Sequence, residues 1–273
     1  MLLAALLTLS VFPATAFAQI TDGETTGGQE SVSYIDASGA AHEHEAAAVT
    51  PDSVVWENGW YAVTENTVIS DRVTCTGDVN LILCDGATLT ANAGIAVNEG
   101  NSLTVYGQSE GTGSLTIDIQ ITDLYDEANN NAAIGGEKYN NSGAITFNGG
   151  VINVTSRSMY GAAIGGGRNG DGYVTVNGGT VNATISGSAS VGAAIGGGYN
   201  GGNDSLITIN GGNVTATVAN KYSSGIGGAY NQSAGVVING GNVSASSIGS
   251  NGGGTVKLSW TNAAGSIYAG CYR

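Results

Sequence analysis

From Val54 onward the chain is written in short apolar–polar alternations. Runs of two to five residues at Thr67–Ile69, Arg72–Thr74, Val79–Leu83, Thr88–Leu89, Gly94–Val97, Ser102–Tyr106 and Ser114–Ile117 set Val, Ile, Leu and Thr against Gly, Asp and Asn. A period of two marks β-strands, and no stretch outside the apolar leader sustains a helical period.

The second half carries a true repeat. Ile134, Ile164, Ile195 and Ile226 each open I-G-G, at intervals of 30, 31 and 31 residues, and Asn148, Asn177, Asn210 and Asn239 each open N-G-G. A period near thirty, with three short strands per unit and no helix, predicts a β-solenoid. Before N-G-G, Ile145/Phe147, Val174/Val176, Ile207/Ile209 and Val236/Ile238 are expected to point inward. After it, Ile152/Val154, Val181/Ala183, Val214/Ala216 and Val243/Ala245 do the same. Like residues then stack from coil to coil about 4.8 Å apart, and the N-G-G asparagines form an amide ladder. The expected fold is all-β: a right-handed, single-stranded parallel β-helix with about 30 residues per C-terminal repeat.

Four regions follow. Residues 1–18 read as a signal peptide: an apolar run to Val11, Pro13, then the small-x-small site Ala16-Phe17-Ala18. Residues 19–53 read as a linker or loose leading strand near Ser31–Ile35, with His42-Glu43-His44-Glu45 as a solvated stretch. Residues 54–131 form the first coils and an acidic insertion, and 132–273 form the Gly-rich coils. The last turn reaches Arg273 without a polar cap, so further domains of a parent chain are expected.

Composition then limits the function. Only 10% of residues are charged and the formal net charge is −14. A nucleic-acid partner needs a basic surface, so none is expected; nor is membrane insertion once the leader is cleaved. Cys75, Cys84 and Cys271 are an odd count and read as free thiols.

The segment V-N-L-I-L-C-D-G-A-T-L-T (Val79–Thr90), Leu103–Gly107 and the A-A-I-G-G-G/N-G-G repeats resemble the Gly-rich, pectate-lyase-like β-helix regions of large bacterial secreted and cell-surface proteins. The resemblance covers about residues 54 to 270. It implies a secreted, surface-located, adhesin-like or carbohydrate-binding module, with a polysaccharide or a host or plant glycan as partner.

Candidate chemistry is sparse. Enzymes on this fold need aligned acids with an Arg, Lys or His. Here Asp171 and Asp204 lie in loops, and Arg72, Lys138, Arg157, Arg168, Lys221 and Lys257 are scattered. A non-catalytic glycan-binding stalk is therefore preferred over a polysaccharide lyase or glycoside hydrolase, with a structural spacer as the third reading. The proposed contact column is a bulky residue followed by Asn after each I-G-G: Tyr139-Asn140, Arg168-Asn169, Tyr199-Asn200 and Tyr230-Asn231. Tyr faces stack on sugar rings and Asn amides bond hydroxyls. The alternative is that Tyr shields the Gly-rich turn while Asn takes a left-handed conformation. A polar column at Thr155, Thr184, Thr217 and Ser246 suits a glycan or an ice lattice, and outward alternation explains it equally. Asp118, Asp123, Asp126 and Glu127 are dense enough in oxygen to suggest Ca²⁺, although their spacing fits no EF-hand and a solvated loop is the alternative. No other cofactor is expected.

Overall fold

The computed structural model describes residues 29–121, 123, 126–230, 232–249, 256–258 and 265–269. The leader, Asn231 and Cys271 lie outside the described residues. Within them the chain is a parallel β-helix of three sheets. Each coil crosses a short third sheet, then a first sheet, then a second. In the repeats these passes are typified by Ile164–Gly165, Tyr173–Val176 and Thr180–Ile185. The strands expected from alternation in the first half are all present, within a residue or two at their ends.

Register follows the repeat. Ile145 lies beside Val174, Ile207 and Val236 in turn, and Phe147 beside Val176, Ile209 and Ile238. Each of these is at most 1% exposed. Across the N-G-G turn, Ile152, Val181, Val214 and Val243 stack in the same way. The inward set forms one continuous apolar core from Val49 to Ala245. The N-G-G ladder is real: Asn177 Nδ2 donates to Asn148 Oδ1 at 2.8 Å, Asn210 to Asn177 at 2.8 Å, and Asn239 to Asn210 at 2.7 Å. A ladder of this kind satisfies polar turn atoms that the stacked backbone alone would leave without partners. Thr155, Thr184 and Thr217 also align on the outer face of the second sheet.

The I-G-G corner explains its glycines. Gly135, Gly165, Gly196 and Gly227 sit at φ between 134° and 139°, and a Cβ on any of them would collide with the carbonyl oxygen of the equivalent glycine one coil on. Only glycine allows both the angle and the approach.

Residues 29–48 are strands and not a linker: the leading strand expected near Ser31–Ile35 is present as Gln29–Ile35, and it has a partner that was not expected. Gln29–Ile35 and Ala41–Ala48 form an antiparallel hairpin, with Val32 opposite His44. Ala47 and Ala48 join the first sheet beside Tyr61 and Ala62, and Ile35 bridges to Gly107. The hairpin thus folds over the outer face of the first three coils and buries Val32, Ala46, Ala62 and Ile82. His44 lies flat on Trp60 with centroids 4.2 Å apart, and Tyr34 contacts His42, Trp60 and Tyr106. The physical cause is the exposed side of those coils. Along the Trp60 row the later coils show Thr104, Thr146, Thr175 and Thr208, whereas the first coils show Trp60 and, in the neighbouring row, Ile82 and Tyr106, which need cover.

The two described cysteines are free. Burial pushes the Cys75 thiol up to about 12 and the Cys84 thiol to about 11.

Candidate functional site

The corner column exists, with one shift of register. Counting from the I-G-G isoleucine, the fourth residue on is Lys138, Arg168, Tyr199 and Tyr230, and the fifth is Tyr139, Asn169, Asn200 and Asn231. Tyr139 therefore stands in the Asn slot and Asn140 stands where later coils have Gly170 and Gly201. The backbone follows this alignment. Tyr139, Asn169 and Asn200 all take positive φ, at 69°, 65° and 58°. Tyr139 N–H donates to Arg168 O, and Asn169 N–H to Tyr199 O, each at 2.7 Å. The pairing of Tyr139-Asn140 with Arg168-Asn169 is thus corrected by one residue: counted from the isoleucine, Glu137-Lys138-Tyr139 aligns with Gly167-Arg168-Asn169, so Lys138 and not Tyr139 stands where Arg168 does. Asn169 and Asn200 supply the left-handed turn and are exposed. Tyr139 pays strain to sit there and is 65% exposed.

A second column, not foreseen, interleaves with the first. The residue four before each isoleucine is Asn130, Tyr160, Val191 and Tyr222. The I-G-G segment folds back on itself, with Ala162 N–H donating to Gly166 O, so that positions four before and four after the isoleucine meet. They are laced between coils: Arg168 N–H donates to Asn130 O, Tyr199 N–H to Tyr160 O, and Tyr230 N–H to Val191 O. Side chains follow the backbone. The Arg168 guanidinium lies 4.4 Å from the Tyr160 ring centroid, Tyr160 and Tyr199 are 5.6 Å apart, and Tyr222 meets Tyr230 edge-on at 5.6 Å. Lys221 stands over Tyr222 and Lys138 over Tyr139, each at 5.3 Å. The outcome is an aromatic and cationic strip along the solenoid. Reading the repeat backward from each isoleucine (M-Y-G-A-A-I and K-Y-S-S-G-I) would have found Tyr160 and Tyr222.

The acidic cluster is divided among structural tasks. Asp118 accepts from Gln120 Nε2 at 2.6 Å. Asp126 caps the short 3₁₀ helix Glu127–Asn130 through Ala128 N–H. Glu127 pairs with Lys138 at 3.1 Å, and the Asp123 carbonyl accepts from Asn129. Among the described residues no three His, Cys, Asp or Glu side chains form a group able to hold a metal. Asp171 is buried and accepts from Ser205 Oγ at 2.8 Å, joining adjacent coils.

Arg72 is the other concentrated charge. Its Nη1 and Nη2 donate to Ala93 O and Ala132 O, on two successive coils, and its Nε lies 3.6 Å from Glu137. Burial pulls the guanidinium below its ordinary value while Glu137 opposes the shift.

Comparison of the chain with protein-family models, curated proteins and solved structures finds no match. The class of the molecule rests on its own architecture: a parallel β-helix with an aromatic strip on one corner.

Proposed function

We propose that this chain is an extracellular, non-catalytic β-helix module of a bacterial surface or secreted protein, adhesin-like in character, which contacts polysaccharide along the strip between Asn130 and Tyr230. The observation that carries this reading is the interleaving of Tyr160, Arg168, Tyr199, Tyr222 and Tyr230 across successive coils. Half-exposed rings in a row present apolar faces to the C–H faces of sugars, and the neighbouring Asn169 and Asn200 amides suit hydroxyls. The coil rise of about 4.8 Å is close to the repeat of an extended glycan, so a chain lying along the axis meets a new contact at each coil. The non-catalytic part of the reading is supported by the individual engagement of Asp118, Asp126, Glu127 and Asp171 in caps, pairs and inter-coil bonds. Resemblance of the A-A-I-G-G-G/N-G-G repeats to the pectate-lyase-like regions of surface proteins supports the setting.

A glycan array and a pull-down on insoluble polysaccharides, comparing the native chain with Tyr199→Ala/Tyr230→Ala, test the proposal. We expect the double variant to lose at least about tenfold in affinity while its circular dichroism is unchanged. Equal binding by both, or no binding of any glycan by the native chain, sinks it. Release of unsaturated or reducing ends would replace it with the enzyme reading.

A further inference from the structure

We propose that the cleft beside Arg72 is a second glycan subsite, selective for the acetamido group of an N-acetylated amino sugar; this rests on the reading of the chain as a glycan-contacting module. The cleft has a volume of about 320 Å³ and lies where the acidic insertion leaves the second sheet and meets the third.

An acetamido group has three parts: a carbonyl acceptor, an N–H donor and a methyl. The cleft offers a complement to each. Arg72 is fixed in its wall by two carbonyls, Ala93 O at 3.1 Å and Ala132 O at 2.9 Å. A guanidinium has five N–H groups, so each Nη keeps a second one for a ligand carbonyl. The side chain is only 20% exposed, so water competes weakly for those donors. Asp126 lines the cleft and uses Oδ1 on Ala128 N–H at 2.9 Å, which leaves Oδ2 as the acceptor that we assign to the ligand N–H. Ile119, Ile121 and Ala128 supply the apolar lining for the methyl. Charge sharpens the choice. Glu137 already stands 3.6 Å from Arg72, and Asp126 adds a further negative charge, so a ligand carboxylate gains little. A free amine brings its positive charge to Arg72 and lacks both carbonyl and methyl. A plain hydroxyl leaves the apolar lining unfilled.

The test uses the full chain and three soluble tetrasaccharides of one backbone: fully N-acetylated glucosamine, its deacetylated form, and glucose, titrated by calorimetry. We expect the acetylated tetramer to bind about tenfold more tightly than either of the others. Ala128→Leu fills the space for the methyl. Asp126→Asn keeps an Oδ1 cap but turns the second acceptor into a donor. Each is expected to abolish the preference and leave glucose-tetramer binding unchanged. Equal affinity for the three ligands, no binding of any, or a preference that survives both variants overturns the proposal. Tyr199→Ala/Tyr230→Ala, run alongside, is expected to weaken all three ligands equally. That separates failure of the cleft from failure of the strip.

Discussion

Gly165 shows how a single atom decides the corner. At φ 134°, with the Gly196 carbonyl directly above it, the position has no room for a Cβ. Gly165→Ala is expected to cost more than about 3 kcal/mol, because both the strain and the clash are with backbone; urea unfolding measures it. Asn177 is a milder case. It donates to Asn148 and accepts from Asn210, so Asn177→Ala removes two bonds and should cost about 1–2 kcal/mol. Asp36 gives the pH dependence. The Ser38 hydroxyl, the Ala40 N–H and His42 hold its carboxyl well below the usual carboxylate range. A depressed carboxylate contributes stability that is in place above the ordinary aspartate value and disappears as pH falls through the depressed one. The hairpin turn is therefore expected to persist at about pH 4, where an ordinary Asp is half protonated. Exchange of the Ser38 and Ala40 amides, slow in the native chain and fast in Asp36→Ala, reads it directly. Cys84, raised from 9.0 to about 11, carries about a hundredfold less thiolate than an ordinary thiol at neutral pH. Alkylation followed by mass spectrometry should show that reluctance, with Cys75 blocked until the chain unfolds.

Strands of the repeat were legible because each face has one job. Ile145, Val174, Ile207 and Val236 alternate with Thr or Val, and a period of two leaves one arrangement. Of the hairpin, the strand near Ser31–Ile35 was legible, but not its partner Ala41–Ala48 or its place over the coils. His42-Glu43-His44-Glu45 reads as a solvated stretch, yet alternation turns His42 and His44 toward Tyr34 and Trp60. Nothing local in the segment announces Trp60, Ile82 and Tyr106, which come from three different coils. Removing residues 29–48 is expected to expose Trp60, seen as a red shift in tryptophan emission, while the later coils stay folded. Arg72 is a similar case. It looked like one of several scattered bases and instead ties two coils through Ala93 O and Ala132 O. Arg72→Ala leaves two carbonyls without their side-chain donor and takes the cation from Glu137, which keeps Asn98 Nδ2; it should cost about 1–3 kcal/mol, since Glu137 is 40% exposed and partly screened.

Taken together, the coils make a nearly one-dimensional object. Each strand pairs with the equivalent strands of the coils before and after it, and the core runs without interruption from Val49 to Ala245. Damage to one coil is therefore expected to be felt most by its neighbours. Hydrogen exchange on Gly165→Ala should show the loss centred on the coils of Gly135, Gly165 and Gly196 and fading along the axis. The same geometry turns a weak contact per coil into a lengthwise surface, which is why the strip matters as a row and not as single tyrosines.

Repeat, strand period, inward set and Asn ladder all came from the sequence, because each depends only on neighbours in the chain or on the same position one repeat later. The stacked sheets preserve that spacing. Folding itself decided the rest. The corner turn puts Tyr139 in the left-handed slot, since that slot falls five residues after Ile134, Ile164 and Ile195 alike, whichever side chain stands there. The fold-back of I-G-G brought residues four before and four after each isoleucine into one strip. The excursion after the second sheet dispersed Asp118, Asp126 and Glu127 among different partners and opened the cleft at Arg72. Arg168 with Asn130, Tyr199 with Tyr160 and Glu127 with Lys138 join residues 38, 39 and 11 apart, spacings that no multiple of the repeat contains, so a periodic reading misses them.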